Sequence, residues 1–426
     1  MKKMKFIGLV YLFAMLVMVS ACSSSIDIEP RRAEEGEALE QAHFLYDLEH
    51  MLYLLENNFA LFDVAYWARG VNIRTVIDNI RDYIASSPDI TLDDFYDALH
   101  QHFAPLVQIG HFHIVSPQTH YLYVSTEWLA PWDMERLTQP NVLEFYEPRY
   151  YPQSDAGFDF ERTPNVTTNI IEDGRIAYLS IDSFSNATFQ ERLDDEAQIF
   201  DFYYEIQEFD HLIIDLRRNR GGNPQFFPDA VIGPNISANL TIDGFAFVVM
   251  GEYSARFTEN LSSREFPMTG IRFIDNELRP VAEILESFNL HDFNMADACR
   301  LDYGFRTQLT INPRRGIPNF DSNLAFNGNI WLLTGPVMGS SAQLAAWISK
   351  DTGFATLVGE TTGGVFGGQQ TVFTLPNSGI AFEADIFYVT DRHGRPLEAG
   401  TIPHHFNHQG MDALETTLAF ISEGRY

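Results

Sequence analysis

Cysteine is almost missing: the 426-residue chain holds 2, Cys22 and Cys299. A disulfide framework and a thiolate metal cluster are thereby excluded as its organising principle. Positive charge is scarce too. Lys and Arg total 28 against 58 Asp and Glu, a formal net charge of −30. Phosphate binding needs a basic surface, so nucleic acid and an anionic membrane surface are not the expected partners. No internal repeat is evident. What is present is apolar content of 45% and aromatic content of 14%, the composition of a globular chain rather than a disordered one.

The N-terminus is an export signal in outline. "MKKMK" supplies charge, "FIGLVYLFAMLVMV" an apolar run, and "SAC" a small-residue cleavage site. The run is shorter than the roughly 20 residues that span a bilayer. "VSAC", Val19 to Cys22, resembles a bacterial lipobox with Cys22 as the lipidated first residue of the mature chain. An ordinary cleaved signal or an uncleaved anchor is the alternative. With Cys22 lipidated, Cys299 has no disulfide partner and is expected as a small buried apolar residue.

The expected organisation is a signal over 1–22, a polar tether over 23–40, a helical domain over 41–105, a mixed strand and loop segment carrying a histidine over 106–174, and a layered core over 175–426. Phe44, Leu48, Met51, Leu52 and Leu55 recur at helical spacing. "VNIRTVIDNIRDYI" and "TLDDFYDALHQHF" continue the pattern, with Thr91 as an N-cap. "GHFHIVS" and "HYLYVST" read as short strands. From Gly174 strands and helices alternate: "RIAYLSI", "TFQERLDDEAQIFDFYYEIQ", "HLIIDLR", "NIWLLTG", a helix from about Ala342, "FATLVG" and "IAFEADIFYVT". That order predicts an α/β, βαβ-type core with a mainly parallel sheet.

Five stretches carry residue types suited to acyl transfer. In "WLLTGPVMGSSAQLAAWISK" a strand runs into a helix, and Ser340 and Ser341 stand at the junction. Free N–H groups and the positive end of the helix dipole gather there, so a serine can attack a carbonyl while amides hold the oxyanion. Serine is equally a favoured helix N-cap. "DLRRNRGGN" places Gly221 and Gly222 in a loop after a buried strand, where the backbone can approach a ligand or make a tight turn. "GHFHIV" offers His111 as a base titrating near neutrality, or as a hydrogen-bonded strand histidine. His111 and His113 alternate and would share one strand face. "VGETTGG" is a Gly/Thr loop after a strand. "GRPLEAGTIPHH" contains Glu398, either an orienting carboxylate or a solvated surface acid.

Together "IAYLSIDSF", "IIDLRRNRGG", "LLTGPVMGSSAQL", "LVGETTGG" and "GTIPHH", in this order, resemble the tail-specific, or C-terminal processing, serine peptidases. That family includes the tricorn core and the interphotoreceptor retinoid-binding repeats, and "GMDALETTLAFI" resembles its closing helix. The resemblance implies a ClpP/crotonase-like core. It puts the nucleophile on Ser340, one oxyanion donor on the Ser341 amide and the other on Gly221 or Gly222. A one-residue slip would exchange the two serines. The lysine of the Ser-Lys branch is replaced by Val365, and no lysine follows Asp351. The branch using Ser, His and Glu remains, with His111 as base and Glu398 as orienter. A family glutamate three residues past the nucleophile is Gln343 here. No PDZ module is recognisable between His111 and Arg175.

The expectation is a lipid-anchored serine endopeptidase on the outer face of a bacterial membrane, acting on a peptide or protein. No metal or organic cofactor is implied. A non-catalytic apolar-ligand or peptide-binding protein on the same fold is the alternative.

Overall fold

The computed structural model describes residues 28–425, apart from 35, 127–130, 150–163, 187, 259–270, 276 and 314–325. The export signal and Cys22 lie outside the described residues. Among those residues no helix is long and apolar enough to cross a membrane.

Helices dominate the first third. Gln41–Asn58 buries Phe44, Leu48, Met51 and Leu55, the spacing that predicted it. Ile73–Ser86 turns Ile73, Ile77, Ile80 and Ile84 onto the same core. Leu92–Phe103 begins with a capping box: Thr91 Oγ1 accepts from the Asp94 amide at 3.2 Å and Asp94 returns a bond to the Thr91 amide. Each fully buried aliphatic or aromatic side chain contributes on the order of 1.5–3 kcal/mol.

The strands, in chain order, begin with β1 (His113–Ile114), β2 (Val166–Glu172), β3 (Ile176–Ile181), β4 (His211–Asp215) and β5 (Leu240–Val248). They continue with β6 (Ile271–Phe273), β7 (Arg279–Pro280), β8 (Tyr303–Ile311), β9 (Asn329–Thr334) and β10 (Thr356–Gly359). The last are β11 (Gln370–Thr374), β12 (Ala381–Asp385), β13 (Phe387–Asp391) and β14 (His405–Phe406).

A six-stranded sheet of order β14-β10-β9-β4-β3-β2 forms the centre. Only β2 runs antiparallel to its neighbour. The strands are apolar on both faces because both are covered. Ile176, Ile213, Trp331, Leu333 and Val358 pack against Ala413, Phe420 and Ile421 from the closing helix Ala413–Ser422. The alternate residues Ala177, Leu212, Ile214, Leu332 and Leu357 join the main core with the helix Ser340–Thr352. The chain is thus an α/β layered fold with a helical N-terminal region, as the order of elements predicts. A five-stranded antiparallel sheet, β13-β5-β8-β6 with β7 also paired to β8, organises much of the stretch between β4 and β9 and takes its edge from β13. A three-stranded sheet, β1-β12-β11, joins the helical region to the core.

Three local expectations change. "HYLYVST" lies in the helix Pro117–Thr126, because Ser116 Oγ accepts from the Thr119 amide at 3.0 Å and starts a helical turn. "IAFEADIFYVT" is two strands in two sheets, divided at Ile386, whose amide bonds the Gln369 carbonyl at 2.9 Å. Cys299 is exposed rather than buried. It caps the short helix Met295–Ala298, whose inward residue is Asp297.

Asp47 ties the helical region to the β11–β12 turn. Its fully buried carboxylate accepts from the Asn377 amide at 2.9 Å and the Ser378 amide at 2.7 Å. Asp47→Ala strands both donors and is expected to cost roughly 2–4 kcal/mol in denaturant unfolding. A loss below about 0.5 kcal/mol would mean that this tie does not hold the two parts together.

Candidate active site

The parallel strands β4 and β9 end side by side, with Asp215 opposite Leu333. Loops leaving their C-terminal ends meet there, the position where α/β sheets present ligand sites. One loop is Asp215–Asn223. The other passes Gly335–Gly339 and enters the helix Ser340–Thr352.

Ser340 is the first residue of that helix and has φ 51°, left-handed and unusual for a residue with a Cβ. Its amide bonds the carbonyls of Gly364 at 3.2 Å and Val365 at 3.1 Å, which hold the turn. Val365, at φ 53°, is the other non-glycine residue in this region of backbone space among those described. Such residues cost of order 1–3 kcal/mol each and persist where surroundings enforce them. Neither serine is the N-cap. Gly339 takes that position without a side chain, so the capping explanation for the paired serines does not apply. Ser341 instead donates its Oγ proton to the Gly222 carbonyl at 3.0 Å, stapling the glycine loop to the helix.

The two glycines differ in what they offer. The Gly221 amide donates to Asn219 Oδ1 at 2.8 Å and is not free to take an oxyanion. Gly222 and Ser341 have amides with no hydrogen-bond partner among the described residues. Gly221 must nevertheless be glycine. It has φ 106°, and an added Cβ would lie 2.8 Å from Ser340 Cβ and 2.9 Å from the Gly339 carbonyl oxygen.

His111 reaches the serine from the helical side. Its Nε2 lies 3.0 Å from Ser340 Oγ. It stands in a turn before β1 rather than on a strand, so the expected alternation with His113 does not apply. His113 points elsewhere and bonds the His111 carbonyl through Nδ1 at 3.0 Å.

The carboxylate behind the imidazole is Asp385, not Glu398. His111 Nδ1 lies 3.0 Å from Asp385 Oδ2 and 3.1 Å from Oδ1, and the His111 amide donates to Oδ2 at 2.6 Å. Asp385 ends β12 just before the chain changes sheets, and its side chain is wholly buried. Two glycines admit it: a Cβ on Gly110 would fall 2.1 Å from Asp385 Oδ2, and one on Gly367 2.2 Å from Asp385 Cβ. Glu398 lies one layer further back. Its carboxylate accepts from the Gly110 amide at 3.0 Å and the Phe366 amide at 2.8 Å, binding the loops on either side of His111 and Ser340. It makes no hydrogen bond to the ring. The stretch "AFEADIF" carried the missed signal: two acids, Glu383 and Asp385, in otherwise apolar sequence. A buried carboxylate needs a partner.

Electrostatics follow from this burial. Desolvation opposes the charged imidazole most strongly, yet the Asp385 charge and hydrogen bond, helped by Glu383 and Glu398, raise the His111 pKa to about 9. Burial raises Glu398 to about 7 against its two backbone donors, and burial also raises Glu383, which accepts from Tyr123 Oη at 2.6 Å. Gln343, three residues past Ser340, is uncharged and fully buried. It donates to Thr401 Oγ1 at 2.9 Å and to the Leu397 carbonyl at 3.2 Å, pinning the Glu398 loop to the serine's helix.

Metal-ligand residue types gather at Glu37, Glu40 and His43, apart from this site. Arg31 already pairs with both glutamates, and His43 Nδ1 accepts from the Glu40 amide.

Residues 175–406 match the sequence pattern of peptidase family S41. Solved structures agree on the fold. Mature CPAF superposes with a TM-score of 0.53 at 14% identity, over 90% of this chain and 96% of that one. CPAF complexed with lactacystin gives 0.52 at 13% identity, over 90% and 98%. A candidate peptidase from Parabacteroides merdae gives 0.51 at 16% identity, over 89% and 96%. With the family pattern covering more than half of its length, the chain belongs to peptidase family S41, the tail-specific and C-terminal processing serine peptidases.

Proposed function

We propose that this serine peptidase works through Ser340, His111 and Asp385, anchored to the cell surface by a lipid on Cys22. The observation that carries the site is the unbroken line Ser340 Oγ, His111 Nε2, His111 Nδ1, Asp385, with contacts of 3.0 Å at both ends. Ser340 Oγ attacks the scissile carbonyl carbon as its proton passes to His111 Nε2. The oxyanion takes the amides of Ser341 and Gly222, donors that need no reorganisation. His111 then protonates the leaving amine, and an ester on Ser340 remains. Water, deprotonated by His111, attacks that ester; the bond to Ser340 Oγ breaks, His111 returns the proton to that oxygen, and the carboxylic acid product leaves. Asp385 holds the ring's tautomer and stabilises the imidazolium. Glu398 positions the loops and does not touch reacting atoms. The anchor rests on the lipobox-like "VSAC" and the polar stretch after it.

Three outcomes are expected. Ser340→Ala abolishes peptide hydrolysis, and Asp385→Asn lowers kcat/KM by about 10³–10⁴-fold. Glu398→Gln costs less than Asp385→Asn; the reverse order would return the orienting role to Glu398.

His111 acts as a base only when neutral. Because its pKa is raised, kcat/KM of the free enzyme climbs as pH rises through about 9. Asp385→Asn moves that midpoint down toward the ordinary histidine value of about 6.5. A pH profile flat from neutrality upward would contradict the charge arrangement.

In a bacterial host, Cys22→Ala removes labelled fatty-acid incorporation and frees the chain from the membrane fraction. A variant still held in that fraction would show that the N-terminal segment, not a lipid, is the anchor.

A further inference from the structure

Two amides from separate segments serve the oxyanion, Ser341 at the start of its helix and Gly222 in the glycine loop. Phe184, which follows β3, grips that loop from one side. Its amide donates to the Gly221 carbonyl at 2.9 Å, and its carbonyl accepts from the Asn223 amide at 3.0 Å. A trans peptide sets N–H opposite C=O. The Gly222 amide and the Gly222 carbonyl, one in each of the two gripped peptides, therefore both point away from Phe184. The carbonyl accepts from Ser341 Oγ at 3.0 Å, and the amide is left for a ligand.

The loop's own sequence does not hold this pose. Gly221 and Gly222 have φ 106° and 128°, and neither carries a Cβ to hinder rotation of the peptide between them. A half-turn of that peptide would aim the Gly221 carbonyl where the oxyanion forms and remove the donor. Bonds from outside the glycine pair resist it. The fully buried Asn219 accepts from the Gly221 amide through Oδ1 at 2.8 Å and donates from Nδ2 to the Ile181 carbonyl at 3.1 Å. A Cβ on Gly222 would lie 2.4 Å from both the amide nitrogen and Oγ of Ser185, so the loop lies hard against that segment. These contacts tie the loop to β3 and the residues after it. Among the described residues, the hydrogen bond that ties it to the serine's helix is the one from the Ser341 hydroxyl, itself buried.

We propose that the Ser341 hydroxyl is a positioning group: by holding the Gly222 carbonyl, it fixes the two oxyanion donors relative to each other before substrate arrives. The inference rests on the serine peptidase reading above. One residue then supplies one donor through its amide and orients the other through its side chain. Donors help most when they need no reorganisation as charge develops, so loosening the second one slows attack rather than weakening substrate binding.

The test gives the full chain 4-nitrophenyl acetate and its thiono counterpart, in which sulfur replaces the carbonyl oxygen. Both are small acyl donors that require no side-chain recognition. Sulfur is a weak hydrogen-bond acceptor, so the thiono ester draws little from the two amides. Ser341→Ala is expected to lower kcat/KM for the oxygen ester by about tenfold, less than the roughly 10²–10³-fold loss of a whole donor. The thiono ester is nearly unaffected, so the ratio of the two rates falls by about the same tenfold. Ser341→Thr keeps the hydroxyl and most of the ratio. An unchanged ratio in Ser341→Ala, whether both rates hold or both fall together, overturns the proposal. So does a loss of ratio in Ser341→Thr as large as in Ser341→Ala, which would assign the effect to packing. Ser340→Ala is run alongside. If it is inactive on both esters while Ser341→Ala keeps the ratio, the role of the hydroxyl falls and the nucleophile stands. If Ser340→Ala turns over both esters as fast as the unaltered chain, the nucleophile is misassigned and the proposal falls with it.

Discussion

The contact on which the rest of the site depends is the one between Asp385 and His111. A fully buried carboxylate is costly unless its charge is answered, and Asp385 is answered by a backbone amide and an imidazole from the same residue. That pairing sets the orientation of the ring and so the position of Nε2 beside Ser340. It also joins two parts of the molecule. His111 comes from the end of the helical region, and Asp385 from the last residue of β12. The chain passes from one sheet to another between β12 and β13, and β1 pairs with β12 with His113 opposite Glu383, which brings the residue two before it, His111, to the Asp385 end of that strand.

Around this pair the backbone is crowded to a degree that leaves few choices of residue. Gly110 and Gly367 are glycines because Asp385 occupies the space of a Cβ. Gly221 is glycine because Ser340 and its turn lie against it. Ser340 itself keeps a left-handed backbone, held by two carbonyls from the Gly364–Val365 loop. Glu398 and Gln343 then fasten that loop and the loop carrying Glu398 to each other. The result is a serine whose position is set by neighbours on every side rather than by its own preference for a turn.

Much of this was readable from residues alone. Strand and helix order in the core, the strand-to-helix serine and the glycine pair stand where periodicity and motif placed them, whereas His111 stands in a turn before its strand. Errors came where a local pattern had two solutions. "HYLYVST" has the β-branched and aromatic content of a strand, yet a serine cap starts a helix. "IAFEADIFYVT" is apolar enough to be one strand, yet it crosses between sheets. The family resemblance points to Glu398, and Asp385 carries no such signal because it lies inside a strand, where core residues are usual.

By itself, then, the sequence determined the chemistry available: a serine at a helix start, a histidine after a glycine, amides freed by paired glycines, and no lysine to replace the histidine. These are properties of neighbours in the chain, written in spacing and residue type. Tertiary structure alone decided which carboxylate faces the imidazole and that the ring's other nitrogen meets Ser340. Those choices depend on distances between segments hundreds of residues apart, and no local rule of spacing encodes them.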